Sequence, residues 1–356
     1  MKRNREDSRE EDAKKRMKTE SSSTSGEGQE PRPAPSGSGS SADLSISAFR
    51  FCKVLGRGAF GKVVLASVRR RNIYKAVKII RKRNTDDVLQ RERRILLVAR
   101  SCPFLCHLDA ALQSERYVYF VMEHLSGGSL QALVNICMKL DIASVRFYTA
   151  ELVCGLQFLH SHDIAHRDLK LDNIMLDGDG HVRIIDLGLA CEVSNICGRA
   201  GTLPYMAPEI ICGRPYSVAV DWWSLGVVVF RMATGDAPFY NGHNMVRVRK
   251  SIKTEKPTYP TWLQEGPKHL IEKLLRRRPA KRLGVRRDQH IRDHPFFSGI
   301  CWEDLERRRA VPPFKPFTPA LGMDRMDWEE DPPARHPLSD FSFASPSWTQ
   351  QDGPVP

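Results

Sequence analysis

Apolar and polar positions change rhythm several times along this chain. From Phe49 to Leu55 they alternate, and Val63 to Val68 is a β-branched apolar run, so both read as strands. Between them lies Gly56-Arg57-Gly58-Ala59-Phe60-Gly61-Lys62, which reads as the turn of a hairpin. Tyr74 to Ile80 and Tyr117 to Met122 predict two further strands. In the interval the period lengthens: Val88, Ile95 and Ala99, with Leu96, mark one side of a helix opened by Asn84-Thr85-Asp86-Asp87. Gly127-Gly128 and a change of polarity then mark a lobe boundary, and a cleft between lobes is a natural ligand site. Ala143 to His162 predicts one long helix whose Val145, Tyr148, Leu152, Leu156 and Leu159 face a core. Ile174-Met175-Leu176 and His181 to Ile185 predict a short strand pair turning at Asp177 to Gly180, and Asp221 opens an apolar helix. Strand patterns gather before Gly127-Gly128 and the long helix follows it, so an α+β chain with a lobe boundary there is expected.

Residues 1–44 mix Lys, Arg, Glu, Ser, Gly and Pro and hold almost nothing to bury, so a disordered tail is expected there. Lys14-Lys15-Arg16-Met17-Lys18 within it is a candidate nuclear-import patch, although such basic runs are common in tails. The 356 residues, 41% hydrophobic and 27% charged, suit one large or two smaller globular domains. No apolar run approaches a membrane span and no signal pattern opens the chain, which predicts a cytoplasmic protein, or a nuclear one if the patch is read. Nine scattered cysteines without a C-x-x-C pair predict buried, reduced thiols. The net charge of +13 comes from runs such as Arg69 to Arg71, Arg81 to Arg83, Arg276 to Arg278 and Arg307 to Arg309. No stacking aromatics are interleaved with them, so solvated faces, or docking of acidic or phosphorylated partners, are expected rather than nucleic-acid binding.

The candidate chemistry centres on His166-Arg167-Asp168-Leu169-Lys170-Leu171-Asp172-Asn173. Transfer of a phosphoryl group to a hydroxyl needs a proton acceptor and charge to screen the phosphate. Asp168, Lys170 and Asn173 supply a carboxylate, a cation and an amide ligand within one loop. The glycines are followed by a strand rather than a helix, which favours a phosphate-covering hairpin over a dinucleotide-binding turn. Lys78 lies mid-strand and Glu92 on the following helix, where a carboxylate would hold the lysine. Asp186, eighteen residues after Asp168, offers a second oxygen ligand, and the pair Asn173 and Asp186 suits Mg²⁺. Ala207-Pro208-Glu209 has a plausible buried partner in Arg282, and Asp221 could accept from the loop backbone.

With these motifs in order over about residues 50 to 300, the chain resembles the eukaryotic protein kinases. Lys170 points to the serine/threonine branch, and Asp293-His294-Pro295-Phe296-Phe297 with Pro312-Pro313-Phe314-Lys315-Pro316 to the AGC group, most like protein kinases C and N. The resemblance implies the bilobal protein kinase fold, a small antiparallel β lobe with one main helix and a larger, mostly helical lobe. It places a catalytic domain over 49–297 (small lobe 49–122, large lobe 126–297) and an AGC tail over 298–356. It implies ATP and Mg²⁺ as cofactors and serine or threonine hydroxyls of proteins as substrates. Residue by residue, Asp168 is the base, Lys170 screens the transferring phosphate, and Lys78 paired with Glu92 grips ATP. Leu55, Gly56, Arg57, Gly58, Ala59, Phe60, Gly61, Lys62, Val63 and Ala76 line the nucleotide, together with Met122, Glu123, Leu125 and Met175. Asn173 and Asp186 hold the metal, and Asp172 and Thr202 meet the protein substrate. The lipid- and calcium-binding modules of protein kinase C have no room before this domain, so no direct membrane control is expected.

Several positions depart from the family. Leu187 replaces a phenylalanine. Gly198 stands where a phosphorylatable threonine is usual, so Arg167 loses its anionic partner; activity independent of that phosphate is expected, with Ser194 the nearest alternative site. Ser129 and Arg231 match two acids that read arginine in substrates, which predicts a weakened preference for arginine. Leu338 to Phe343 resembles the tail motif that docks on the small lobe, though Leu338 replaces its first aromatic and a turn-motif phosphosite is missing. A pseudokinase scaffold is the alternative that Gly198 and the altered tail suggest, set against an intact catalytic residue set.

Overall fold

The computed structural model describes residues 45–316, except 59–60, 70–72, 83–85, 197, 241 and 286–290, and beyond them 326, 332–335 and 337–349. The expected disordered tail, the patch at 14–18 and the helix-opening Asn84-Thr85 lie outside these residues.

Five antiparallel strands form the small lobe: β1 (Phe49–Gly58), β2 (Gly61–Val68), β3 (Tyr74–Arg81), β4 (Leu108–Gln113) and β5 (Tyr117–Glu123). Their order is β1-β2-β3-β5-β4, and a tail strand, Phe343–Ala344, adds to the β4 edge. β3 is thus central, with Lys78 opposite Val63 on one side and Phe120 on the other. Side chains alternate between faces. One face sends Phe51, Val64, Val77, Tyr119 and Val121 into a cluster of its own. The other face joins Ile80, Val118 and Phe120 to the main core, where α1 (Asp86–Ala99) packs with Leu89, Ile95 and Leu96. Leu89 is buried and Val88 only half-buried, because the stripe runs 89, 92, 95/96, 99 and Val88 falls one residue to its side. That corrects the expected apolar side by one position, and it puts Glu92 on the buried stripe.

The large lobe is mostly helical, with α2 (Leu130–Cys137), α3 (Ile142–Ser161), α4 (Pro208–Ile211), α5 (Ala219–Thr234), α6 (Met245–Thr254) and α7 (Glu265–Leu274). α3 begins one residue before the expected start because Asp141 caps it, accepting from the Ser144 amide at 2.9 Å. Val145, Tyr148, Leu152, Leu156 and Leu159 are all fully buried. Four short strands, β6 (Ile164–Ala165), β7 (Ile174–Leu176), β8 (Val182–Ile184) and β9 (Cys191–Glu192), pair as β7 with β8 and β6 with β9. They frame the catalytic stretch between α3 and the following loops. Glu209 and Arg282 form a buried two-pronged pair at 2.7 and 3.1 Å, joining α4 to the chain beyond α7.

Two expectations need correction. Cys137, Cys212 and Cys301 are exposed at helix ends, while Cys52, Cys102, Cys106, Cys154 and Cys191 are buried. Nor are the arginine runs simply solvated: Arg277 donates to the Ile252 and Glu255 carbonyls, and Arg308 pairs with Asp177. Among the described residues no helix is long and apolar enough to cross a membrane.

Candidate active site

The glycine hairpin crosses from β1 to β2 with Gly56 opposite Val63, Arg57 opposite Lys62 and Gly58 opposite Gly61. A bulge between Val54 and Gly56 bends the strand there. Leu55, Gly56, Arg57 and Gly58 are exposed, while Gly61, Lys62 and Val63 are half-buried; Ala59 and Phe60 lie outside the described residues. A side chain at Gly61 would put a Cβ 2.1 Å from the Ile79 carbonyl oxygen, so the close approach of β2 to β3 requires glycine. Burial and the neighbouring Arg57 both lower the Lys62 ammonium. Ala76 lies between Leu65 and Met122 across the sheet. Met122 is half-buried against the main core, Leu125 is buried, and Met175 on β7 bridges to Ser129. The Glu123 carboxylate is engaged, accepting from the His107 amide at 2.8 Å.

Lys78 Nζ donates to Glu92 at 2.7 Å and to Asp186 at 2.8 Å. Burial pushes its pKa down, but the Glu92 and Asp186 charges outweigh burial and raise it overall. Burial likewise favours a neutral Asp186, yet the Lys78 ammonium holds its carboxyl below the usual range. The bond from Lys78 to Asp186 spans the two lobes and was not expected from the sequence. Asp186 adopts a left-handed backbone with φ 57°, and Arg167 does so with φ 67°. Such conformations cost non-glycine residues about 1 kcal/mol or more and persist where surroundings enforce them.

Asp221, fully buried at the start of α5, supplies that enforcement at Arg167. It accepts from the His166 amide at 2.8 Å, the Arg167 amide at 2.9 Å and His160 Nε2 at 2.8 Å. Burial alone would raise its pKa; the His160 hydrogen bond and charge pull it below normal. The Asp168 amide donates to His166 Nδ1 at 3.2 Å, which leaves Nε2 to donate to the Ile185 carbonyl at 3.3 Å. His166 therefore ties Asp168 to the strand end that carries Asp186.

Three donors converge on the Asp168 carboxylate. Lys170 Nζ reaches it at 3.0 Å, Asn173 Nδ2 at 3.1 Å and the Thr202 hydroxyl at 2.7 Å. Lys170 also donates to Thr202 at 2.9 Å, and Asn173 to the Asp168 carbonyl at 2.9 Å. Thr202 thus joins the carboxylate directly, while Asp172 stands exposed at the edge of the loop. Leu187 is buried in the core beside α1, in keeping with an apolar replacement. Ser129 caps α2, accepting from the Ala132 amide at 3.1 Å, and Arg231 stacks 5.7 Å over the Tyr205 ring.

A buried lysine between two carboxylates, together with a loop carboxylate ringed by donors, is the arrangement of a phosphotransferase cleft. The family model of the protein kinase domain matches residues 49–297, and the chain belongs to that family. Within it the chain falls on the serine/threonine, protein kinase C-like side. It is 45% identical to mouse protein kinase C delta type over 281 residues, 76% of this chain and 41% of the relative. To the human delta type it is 44% identical over 283 residues, 76% and 41% of the two chains. Protein kinase C-like 1 of Caenorhabditis elegans is 41% identical over 283 residues, 75% and 40%. The chain spans about two fifths of the length of these relatives.

Proposed function

We propose that this chain transfers the γ-phosphate of ATP to serine or threonine hydroxyls of protein substrates. The observation that carries the reading is the Asp168 carboxylate, fixed by Lys170, Asn173 and Thr202 so that it can accept a proton. The substrate hydroxyl gives its proton to Asp168 while its oxygen attacks the γ-phosphorus. The bond from that phosphorus to the bridging oxygen breaks, and ADP leaves. Lys170 stands beside the reacting groups to screen the transferred charge, and Lys78, steadied by Glu92, grips the phosphates.

ATP with Mg²⁺ is the usual pair for this family. Among the described residues no group of three or more His, Cys, Asp and Glu side chains could hold a metal. A cation here would depend on Asn173, Asp186 and oxygens from outside the protein, which is how Mg²⁺ is commonly bound. The donor set fits: Asn173 spends its Nδ2 on Asp168, leaving Oδ1 as a ligand, and Asp186 bonds Lys78 through Oδ1 alone. Mg²⁺ would supply neutralisation of phosphate charge there.

The reading extends to partners. Docking of the chain's own tail on the small lobe is supported by Phe341, fully buried 5.6 Å from Phe120, and by the strand Phe343–Ala344 on β4. A cytoplasmic or nuclear setting belongs to the same proposal. Nothing in the catalytic set favours a scaffold without activity. Labelled ATP, Mg²⁺ and a basic protein substrate, followed by phosphoamino-acid analysis, test the reading. Phosphoserine or phosphothreonine is expected; phosphotyrosine alone, or no transfer, would overturn it.

A further inference from the structure

We infer that Tyr216 is a positioning residue, whose hydroxyl holds the activation segment against the catalytic loop in the absence of any phosphate on that segment. The inference rests on the kinase reading, since it concerns how the same site is kept assembled. Residues 190–202 end at Thr202, which touches Asp168, so disorder in this segment would remove a donor from the base. Gly198 carries no hydroxyl to phosphorylate, and something else has to connect it to Arg167.

The connection is a chain of hydrogen bonds. Arg167 is fixed at its own amide by Asp221, and its Nε donates to the Leu189 carbonyl at 2.6 Å. A second guanidinium nitrogen donates to the Tyr216 hydroxyl at 3.3 Å. Tyr216 in turn donates that hydroxyl's proton to the Gly198 carbonyl at 3.0 Å. A phenol has one proton and two lone pairs, so it can accept from Arg167 and donate to Gly198 together. Both a cation and a carbonyl are satisfied without an anion between them.

The backbone at Gly198 suits this role. Its φ of +67° is left-handed, a conformation that a β-branched threonine rarely adopts, although a Cβ there would meet nothing within 4 Å. Backbone shape, rather than lack of space, therefore sets this position apart and turns its carbonyl to Tyr216. The rest of the segment is tied independently. Arg94 of α1 lies 3.5 Å from Glu192, the Val193 amide donates to the Asp163 carbonyl at 2.7 Å, and β9 pairs with β6. Among the described residues, Tyr216 bridges Arg167 and Gly198 at the point where those ties end. Ser194, the alternative phosphate site, is exposed two residues beyond β9.

The test uses the full chain after phosphatase treatment, with intact mass showing no phosphate on residues 190–202. Hydrogen exchange of those amides is measured beside steady-state kinetics. Untreated and treated wild type should agree in kcat within about twofold. Tyr216→Phe, which keeps the ring and loses one pair of bonds, should lower kcat about tenfold with KM for ATP nearly unchanged, and speed exchange at 198–202 by a similar factor. Adding Gly198→Asp, whose side chain tolerates left-handed backbone and offers Arg167 an anion, should recover most of both losses. Unchanged exchange and kcat in Tyr216→Phe would overturn the inference. So would loss of activity on phosphatase treatment reproduced by Ser194→Ala. If even untreated wild type shows no transfer, the kinase reading falls, and the exchange comparison still decides the role of Tyr216.

Discussion

Asp168, Lys78 and Arg231 are three charged residues with three different fates. Asp168 accepts from three donors, and Lys78 is pinned between Glu92 and Asp186. Arg231 instead puts a cation over Tyr205, whose hydroxyl is raised mainly by burial, with Arg231 opposing and Asp172 adding to the rise. Arg231 and Asp172 both act on Tyr205, and if substrate arginines bind at this pair, as the family resemblance implies, Arg231 would meet them as a like charge. A peptide array on the wild type should show weak selection for arginine before the target, and Arg231→Glu should strengthen it about tenfold, the order of one charge-assisted contact. Strong arginine selection by the unaltered chain would contradict this. Asp168, Lys170 and Asn173 were legible because a single loop carries them. The bond of Lys78 to Asp186 was not, since 108 residues separate the partners and only the closure of two lobes brings them together. Nor was Tyr216, an isolated tyrosine in a connecting loop with no motif around it.

At the scale of elements, strong periodicity was readable and short or crowded segments were not. α3 and the β-branched strands β2, β3 and β5 stand out in the pattern. β4 is too short and too rich in alanine to announce itself, and α6 and α7 alternate charge with few apolar residues. The turn after α7 offers a test of electrostatics. His294 caps the turn Pro295–Phe297, accepting the Phe296 amide at Nδ1, so its Nε2 donates to His269 Nδ1 at 2.8 Å. Burial, with His269 and Lys273 nearby, lowers its pKa to about 4. The folded imidazole is neutral over a range where the unfolded one, near 6.5, takes a proton. Its contribution to stability is therefore complete above about pH 6.5 and is lost as pH falls toward 4. Denaturation midpoints between pH 7.5 and 4.5 should decline less steeply in His294→Asn, which can still cap the turn. Parallel declines in the two proteins would show that His294 is not responsible.

Across the whole molecule, the tail packs on both hydrophobic clusters, the main one shared by the two lobes and the one proper to the small-lobe sheet. Phe341 sits in the main cluster with Phe120, Gln113 bonds the Leu338 backbone in both directions, and Trp348 stacks 5.4 Å from Phe49. Phe341→Ala should lower the unfolding free energy by about 2–3 kcal/mol, less than a sealed core phenylalanine because the tail can detach instead of leaving a cavity. A denaturation curve superimposable on wild type would mean that the tail contributes no packing. The bilobal class was legible from the order of strand and helix patterns. The motif at Leu338 to Phe343 pointed to the small lobe, but its pairing with the β4 edge was not readable, because strand addition is written in backbone hydrogen bonds rather than in side-chain period. The measurement that bears most directly on the central claim compares wild type with Asp168→Asn, using labelled ATP, Mg²⁺ and a protein substrate. Loss of the base should cut kcat by about 10²–10⁴ while nucleotide affinity, measured separately, stays nearly the same. Equal transfer by the two proteins would contradict the assignment of Asp168 as the proton acceptor.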